Sequence, residues 1–255
     1  MTVTIGCEIE VSISALHNAI KAVLPHCEKP KLSDDLAVMA RVRLIAAKDE
    51  LLIAATNGRT SALAAVEILE DDRRERFAVE DGPLIMDIHP KMLRGIRDGI
   101  TSQHVEGDLV GEARLTIVGP TTEGQPGKLT ALDIGGLWIG SETTRPLLPL
   151  ADGFPDVVGL LSKALGAAEG TYKPLVSEGA DLTAFAAAAS AYALPLQAEP
   201  VGQAGQRGWI VMCGPDFAGS LMGMFGDDDS LKRRDAYRRK HLERLGLGAA
   251  LKSVG

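Results

Sequence analysis

The sequence predicts an α+β protein built from repeated β-α-β-β-β units, and three observations predict it. Apolar runs of strand length come in sets separated by tight turns, as in VRLIAAKDELLIAATNGRTSALAAVEIL from Val42 to Leu69. Ahead of each set stands a short strand-like segment followed by a stretch with helical spacing of its apolar residues. That order of strand, helix and three strands returns along the chain, which is self-similarity at long period.

The elements follow in order. Val3, Ile5, Cys7 and Ile9 alternate with Thr4, Gly6 and Glu8, a period of two that reads as a strand. Ser12 or Ser14 then caps a helix to about Leu24, with Ile13, Leu16, Ala19, Ile20 and Val23 on one face, and Pro25 ends it. Val42–Ile45, Leu51–Ala55 and Ser61–Leu69 form a meander, turned first at Lys48-Asp49-Glu50 and then at Asn57-Gly58, the pair suited to a two-residue hairpin. The Ala-rich run from Ser61 to Val66 also fits a helix, since short apolar runs are ambiguous by period. A solvated loop at Glu70–Arg76 leads to the second unit. Its strand is Leu84–Ile88, and its helix starts at Pro90 and is stopped by Gly99. Strands are expected near Gln103–Glu106, at Ala113–Val118, at Leu129–Ile134 and, across Gly135-Gly136, at Leu137–Gly140.

From Arg145 to Gly170 three prolines discourage regular structure, so the first domain is expected to be 1–145 and a connector 146–170. A third, shorter copy occupies 171–226: Tyr172–Val176, a helix from Asp181 to Tyr192, then Pro195–Glu199, Trp209–Cys213 and Phe217–Phe225. Residues 227–255 form a tail. Ser230 caps its basic helix, which is either a solvated appendage or a phosphate- or partner-contacting one.

Composition narrows the function classes. With 45% hydrophobic and 24% charged residues in 255, the chain can bury a full core. No run of about 18 apolar residues exists to span a membrane. MTVTIGCEIE has neither a basic head nor an apolar core of a signal peptide, so a cytoplasmic protein without a membrane partner is expected. Cys7, Cys27 and Cys213 show no CxxC spacing and read as buried reduced thiols. The net charge of −7 is uneven: Leu231–Gly255 holds eight Lys and Arg against two Asp and Glu, a local +6 that leaves −13 on the remainder. Such a body is compatible with DNA only where its basic residues face one way.

Catalytic constellations are missing from the sequence. His17, His26, His89, His104 and His241 have no zinc-site spacing, and no phosphate-cradling glycine loop or nucleophile elbow occurs. Asp227-Asp228-Asp229 fits a divalent-ion site or, more simply, a solvated loop. No enzyme activity, cofactor or metal is therefore expected.

Four stretches, LHNAIKAVLPHC, VRLIAAKDELLIAATNGRT, GFPDVV and IVMCGPDFAGSLMGMF, together with the repeated unit, resemble DNA sliding clamps. The likeness is to the bacterial polymerase III beta clamp and its shorter phage relatives. The resemblance implies paired half-domains with antiparallel sheets outside and helices on the inner face. It also implies a homo-oligomeric ring that encircles duplex DNA without sequence preference and tethers a polymerase. On that reading the phosphate contacts are His17 and Lys21 on the first helix, Lys29 and Lys31 in the loop after it, and Lys91, Arg94 and Arg97 on the second. The tail adds Arg233, Arg234, Arg238, Arg239 and Lys240. Clamps also hold short peptide motifs of polymerases and clamp loaders in an apolar pocket, for which Leu147, Leu148, Pro149, Leu221, Met222 and Met224 are the candidates by position, alongside a plain core role. The rival reading is a non-enzymatic DNA-binding regulator acting through the basic tail.

Overall fold

Cys7, Ile9 and Val11 alternate with more exposed residues along strand β1, Gly6–Ser12. Ser12 then turns the chain into helix α1, Ile13–Val23, by accepting a hydrogen bond from the Ala15 amide at 3.5 Å. The computed structural model describes residues 6–28, 38–47, 49–69, 83–100, 103–105, 108–119, 126–135, 140–166, 177–201 and 208–222, with 232–233, 236–237 and 239–240 in the tail. Among these, no helix is long and apolar enough to cross a membrane.

The meander of the first unit is β2 (Val42–Ala46), β3 (Glu50–Thr56) and β4 (Thr60–Glu67). Asn57 makes its second turn: its Oδ1 accepts from the amides of Arg59 and Thr60 at 2.9 and 2.7 Å, and Gly58 takes the left-handed φ of +82°. Residues Thr60–Glu67 are strand throughout, although several favour helix. Both edges of β4 are paired, with β3 and with a strand of the third unit, and a ladder on two sides outweighs alanine's advantage of about 0.5 kcal/mol per residue in helix propensity.

The second unit opens with β5 (Leu84–Ile88) and α2 (Pro90–Gly99), whose cap is His89: its Nδ1 accepts from the Lys91 amide at 3.1 Å. A small hairpin, β6 (Gln103–Val105) and β7 (Asp108–Val110), precedes β8 (Glu112–Val118) and β9 (Lys128–Asp133). β9 pairs with β8 and, on its other edge, with β10, Glu142–Pro146, which begins after the stretch Leu137–Gly140 expected as a strand. Asp133 Oδ1 accepts from the Gly135 amide and starts a longer loop, while the Thr130 and Thr144 hydroxyls meet at 2.9 Å across the ladder. Residues 136–139 lie outside the described residues, and the boundary expected at 145 falls within β10.

The connector is more regular than its prolines suggested. Pro155 precedes a helix, α3 (Val157–Leu165), that Asp156 caps by accepting from the Gly159 amide at 2.9 Å. The third unit contains α4 (Gly179–Tyr192), β11 (Gln197–Pro200), β12 (Gly208–Met212) and β13 (Phe217–Met222). The strand expected at Tyr172–Val176 lies outside the described residues.

Pairing shows how the units join. Units one and two exchange their first strands: β1 pairs with β8 from Gly6↔Val118 to Ser12↔Glu112, and β5 pairs with β2 from Val42↔Ile88 to Ala46↔Leu84. The third meander adds through β13 to β4, giving a seven-stranded sheet β11-β12-β13-β4-β3-β2-β5 beside the four-stranded β1-β8-β9-β10, all antiparallel. Helices α1 and α2 share one core with both sheets, in which Leu16, Ile53, Leu93, Ile96, Leu115 and Leu129 meet, each worth about 1.5–3 kcal/mol on burial. On the opposite face of the long sheet, Val157 and Leu161 of α3 pack with Phe154 on Ala54 and Ile210.

Candidate functional site

Helix α1 touches both α2 and α4, so the three helices form a row. Leu93 and Ile96 turn α2's apolar side inward, which leaves Lys91 and Arg94 exposed one turn apart, and no carboxylate among the described residues pairs with either. Arg97 is half-buried and donates to its neighbour Asp98 at 2.8 and 2.6 Å, which offsets its charge. On α1, exposed Lys21 donates to Ser190 Oγ of α4 at 3.0 Å and so ties two helices of the row together. His17 is half-buried, and its Nε2 has no hydrogen-bond partner among the described residues. Burial first, and the Arg97 charge second, hold the imidazole below its ordinary pKa, so it adds no positive charge at neutral pH.

Helix α4 supplies no basic residue to the row. Its Asp181 is turned inward beside Arg59, at 3.7 Å. Lys29 and Lys31 lie outside the described residues, as do Arg234 and Arg238; Arg233, Arg239 and Lys240 are helical and exposed in the tail.

A cavity of about 260 Å³ lies between α3 and the strands β12 and β13. Leu160, Ala164, Val201, Trp209, Leu221 and Met222 give it an apolar lining, and Asp156 and Lys163 contribute one charge of each sign. Two of the residues singled out in the sequence, Leu221 and Met222, are therefore in the lining; Met224 lies outside the described residues. Leu147, Leu148 and Pro149 are not part of it. Sequence reasoning missed Trp209 and the whole of α3, although Asp156 before Val157, Leu160, Leu161 and Ala164 carried a cap and a helical period.

The reason Leu147–Pro149 sit elsewhere is a buried carboxylate. Asp87 of β5 has no exposed surface and accepts from Arg43 Nε at 2.9 Å and Nη2 at 3.2 Å, with Arg41 Nη1 at 3.8 Å. It also accepts from the Ala151 amide at 2.9 Å, while Arg41 and Arg43 donate to the carbonyls of Pro149 and Ala151 at 2.7 and 3.1 Å. The Arg43 guanidinium further stands over the Phe154 ring, 4.4 Å from its centroid. The connector is thereby clasped to β2 and β5, and its Leu147 is buried in the main core.

At the junction of the first and third units His26 is fully buried beside the rings of Phe185 at 4.6 Å and Phe217 at 6.1 Å, with neither ring nitrogen partnered among the described residues. Burial pulls its pKa down to about 4. The folded value lies below the unfolded one of 6.5, so the unfolded chain binds the proton first. Its contribution is whole above pH 6.5 and is lost as pH falls towards 4, by up to about 3 kcal/mol. Urea midpoints at pH 7 and pH 4.5 should fall further for the wild type than for His26→Leu; equal falls would show that this imidazole does not set the dependence. All three cysteines are free thiols, and burial pushes Cys7 and Cys27 up to about 12, far from the thiolate form.

No protein-family model and no curated protein matches the chain. Solved structures do. The chain is similar to the beta subunit of DNA polymerase III from Thermotoga maritima, with a TM-score of 0.55 and 12% identity over 89% of this chain and 66% of that one. It is similar to the DNA polymerase sliding clamp from Bacillus subtilis, with a TM-score of 0.53 and 12% identity over 86% and 64%. It is also similar to the DNA polymerase III subunit beta from Pseudomonas aeruginosa, with a TM-score of 0.54 and 13% identity over 89% and 67%. The chain spans less than two thirds of the length of the first two. At these identities the likeness is one of fold: the chain has the α+β architecture of the beta sliding clamps.

Proposed function

We propose that this chain, having the beta-clamp fold, is a non-enzymatic processivity clamp of a bacterial or phage-infected cell. It closes into a homo-oligomeric ring around duplex DNA and tethers a DNA polymerase. The observation that carries this is the clamp fold over 89% of the chain, in which three unit helices form one row behind two antiparallel sheets. Residues 1–145 act as a paired domain, 146–170 as connector, 171–226 as a half-domain and 227–255 as a basic appendage. Lys91 and Arg94 of α2, together with Lys21 of α1, contact phosphates and read no bases. The cavity under α3 takes a short apolar peptide motif of the polymerase or of the clamp loader, with Met222 adapting to its side chains.

The test is DNA association of Lys91→Glu/Arg94→Glu as a function of salt. Loss of two phosphate contacts should flatten the slope of log K against log salt by about 2, equally on unrelated duplexes. Deletion of 231–255 should leave most of the association in place. If the deletion abolishes it and the double variant does not alter it, the exposed tail cations are the binding element and the chain is a tail-driven regulator.

A further inference from the structure

Helix α2 carries a glycine in its middle, Gly95, where that residue costs about 1 kcal/mol against alanine. The neighbouring strand gives the reason. Strand β10 packs against α2, and Ser141, just ahead of it, donates from Oγ to the Gly99 carbonyl at 2.7 Å. A Cβ on Gly99 would run into the Thr143 side chain. A Cβ on Gly95 would stand 2.8 Å from Arg145 Nε and 3.2 Å from Nη2. Thr143 and Arg145 thus meet successive turns of α2, and the Arg145 guanidinium takes the room that a side chain at position 95 would need.

The turn that Arg145 covers belongs to the basic face of the helix. Residues three and four apart are neighbours on a helix surface, about 5–6 Å apart at Cβ, so Lys91 stands one turn from Gly95 and Arg94 flanks it. Lys91 and Arg94 are exposed, and Arg145 beside them is half-buried. The guanidinium is therefore the third cation of one cluster, supplied by the sheet and not by the helix. Its Nη1 donates to the Thr144 carbonyl at 2.9 Å, and among the described residues no carboxylate pairs with it. The only acid of α2, Asp98, is bound by Arg97. Glu142 of β10 alternates to the strand's other face. Three like charges gathered without a counter-charge repel one another, and an anion placed among them relieves that repulsion.

We propose that Arg145 is a further phosphate-binding residue, which with Lys91 and Arg94 holds one segment of DNA backbone. A guanidinium has more donors than the one the Thr144 carbonyl takes, and its planar fork matches phosphate oxygens, whereas Lys91 adds a point charge. Helix α2 alone presents two exposed cations; β10 lends the third across the gap that Gly95 leaves. The contact deepens the phosphate binding under "Proposed function" and rests on that reading.

DNA association of the full chain over a salt series tests it, with Arg145→Gln, Arg145→Lys and Gly95→Ala beside Lys91→Glu/Arg94→Glu. Arg145→Gln should flatten the slope of log K against log salt by about 1, on unrelated duplexes alike. Arg145→Lys keeps the charge and should restore the slope. Gly95→Ala alters no charge, yet its methyl displaces the guanidinium and should weaken association severalfold. Near-UV circular dichroism should be unchanged in all three. A wild-type slope for Arg145→Gln, while Lys91→Glu/Arg94→Glu still flattens it, overturns the role of Arg145 and keeps the clamp reading. A lowered urea midpoint for Arg145→Gln with the slope unmoved also overturns it, and leaves Arg145 a packing residue on Gly95. If neither Arg145→Gln nor the double variant moves the slope, the phosphate contacts of α2 fall altogether and this one falls with them.

Discussion

Asp87→Ala is expected to destabilise the protein by about 3–5 kcal/mol, the cost of leaving a buried ion cluster with one sign of charge. Two guanidinium groups, Arg41 and Arg43, converge on this carboxylate where water does not reach, and the Ala151 amide loses its acceptor at the same time. Asp87→Asn keeps one oxygen to accept hydrogen bonds and should lose less. The pair of half-buried Arg97 and exposed Asp98 serves as the control: Asp98→Ala should cost no more than about 1 kcal/mol, because solvent reaches the carboxylate and screens it. Chemical denaturation of the three variants checks the order. If Asp87→Ala behaved like Asp98→Ala, the clasp would hold the connector by its backbone bonds alone.

Phe185→Ala is the second large effect, again about 3–5 kcal/mol. The ring is 2% exposed and stands edge-on to Phe217 at 6.5 Å and to His26 at 4.6 Å. It also fills space that a side chain at position 219 would need: a Cβ on Gly219 would come within 2.7 Å of both the Phe185 ring and the Ser61 carbonyl. Glycine there lets α4, β13 and β4 close on one another, and emptying the ring's place leaves a cavity at the joint between units. Amide exchange should therefore quicken in β11, β12 and β13 while β8 and β9 stay protected, since those strands are held by the other sheet. Uniform quickening of both sheets would show that the third unit does not open separately.

The local elements were legible because each has a local cause. Ser12 before an apolar period of 3.6, Asn57-Gly58 between strand-length runs, and Pro90 ahead of Met92, Leu93 and Ile96 state a cap, a turn and a helix within a few residues. What was not legible is pairing at long range. Nothing in GCEIEVS indicates that its partner lies near Val118 and not in the adjacent meander, because alternation fixes which face is buried and not which strand is the neighbour. The clasp left a trace that went unread: an aspartate inside the apolar run LIMDI needs a partner once buried, and Arg41 and Arg43 stand on the next strand's side of the fold. The basic face of α2 was legible by helical period, whereas the neutral state of His17 depended on how α1 meets Arg97. The cavity depended on α3, whose cap and period were hidden behind three prolines.

The exchange of first strands between units sets the order of events in biosynthesis. Strand β1 leaves the ribosome well before its partner β8, which ends at Val118. At roughly 5–20 residues per second, β1 waits on the order of 5–20 s with its hydrogen-bonding edge unfilled. The nascent first unit therefore meets a topological delay that a self-contained β-α-β-β-β unit would not, and the barrier for its folding lies in closing a loop of roughly a hundred residues. During that interval the apolar residues Ile9 and Val11 are open to chaperones or to the wrong strand, so the vulnerable step is the synthesis of the stretch between the two strands.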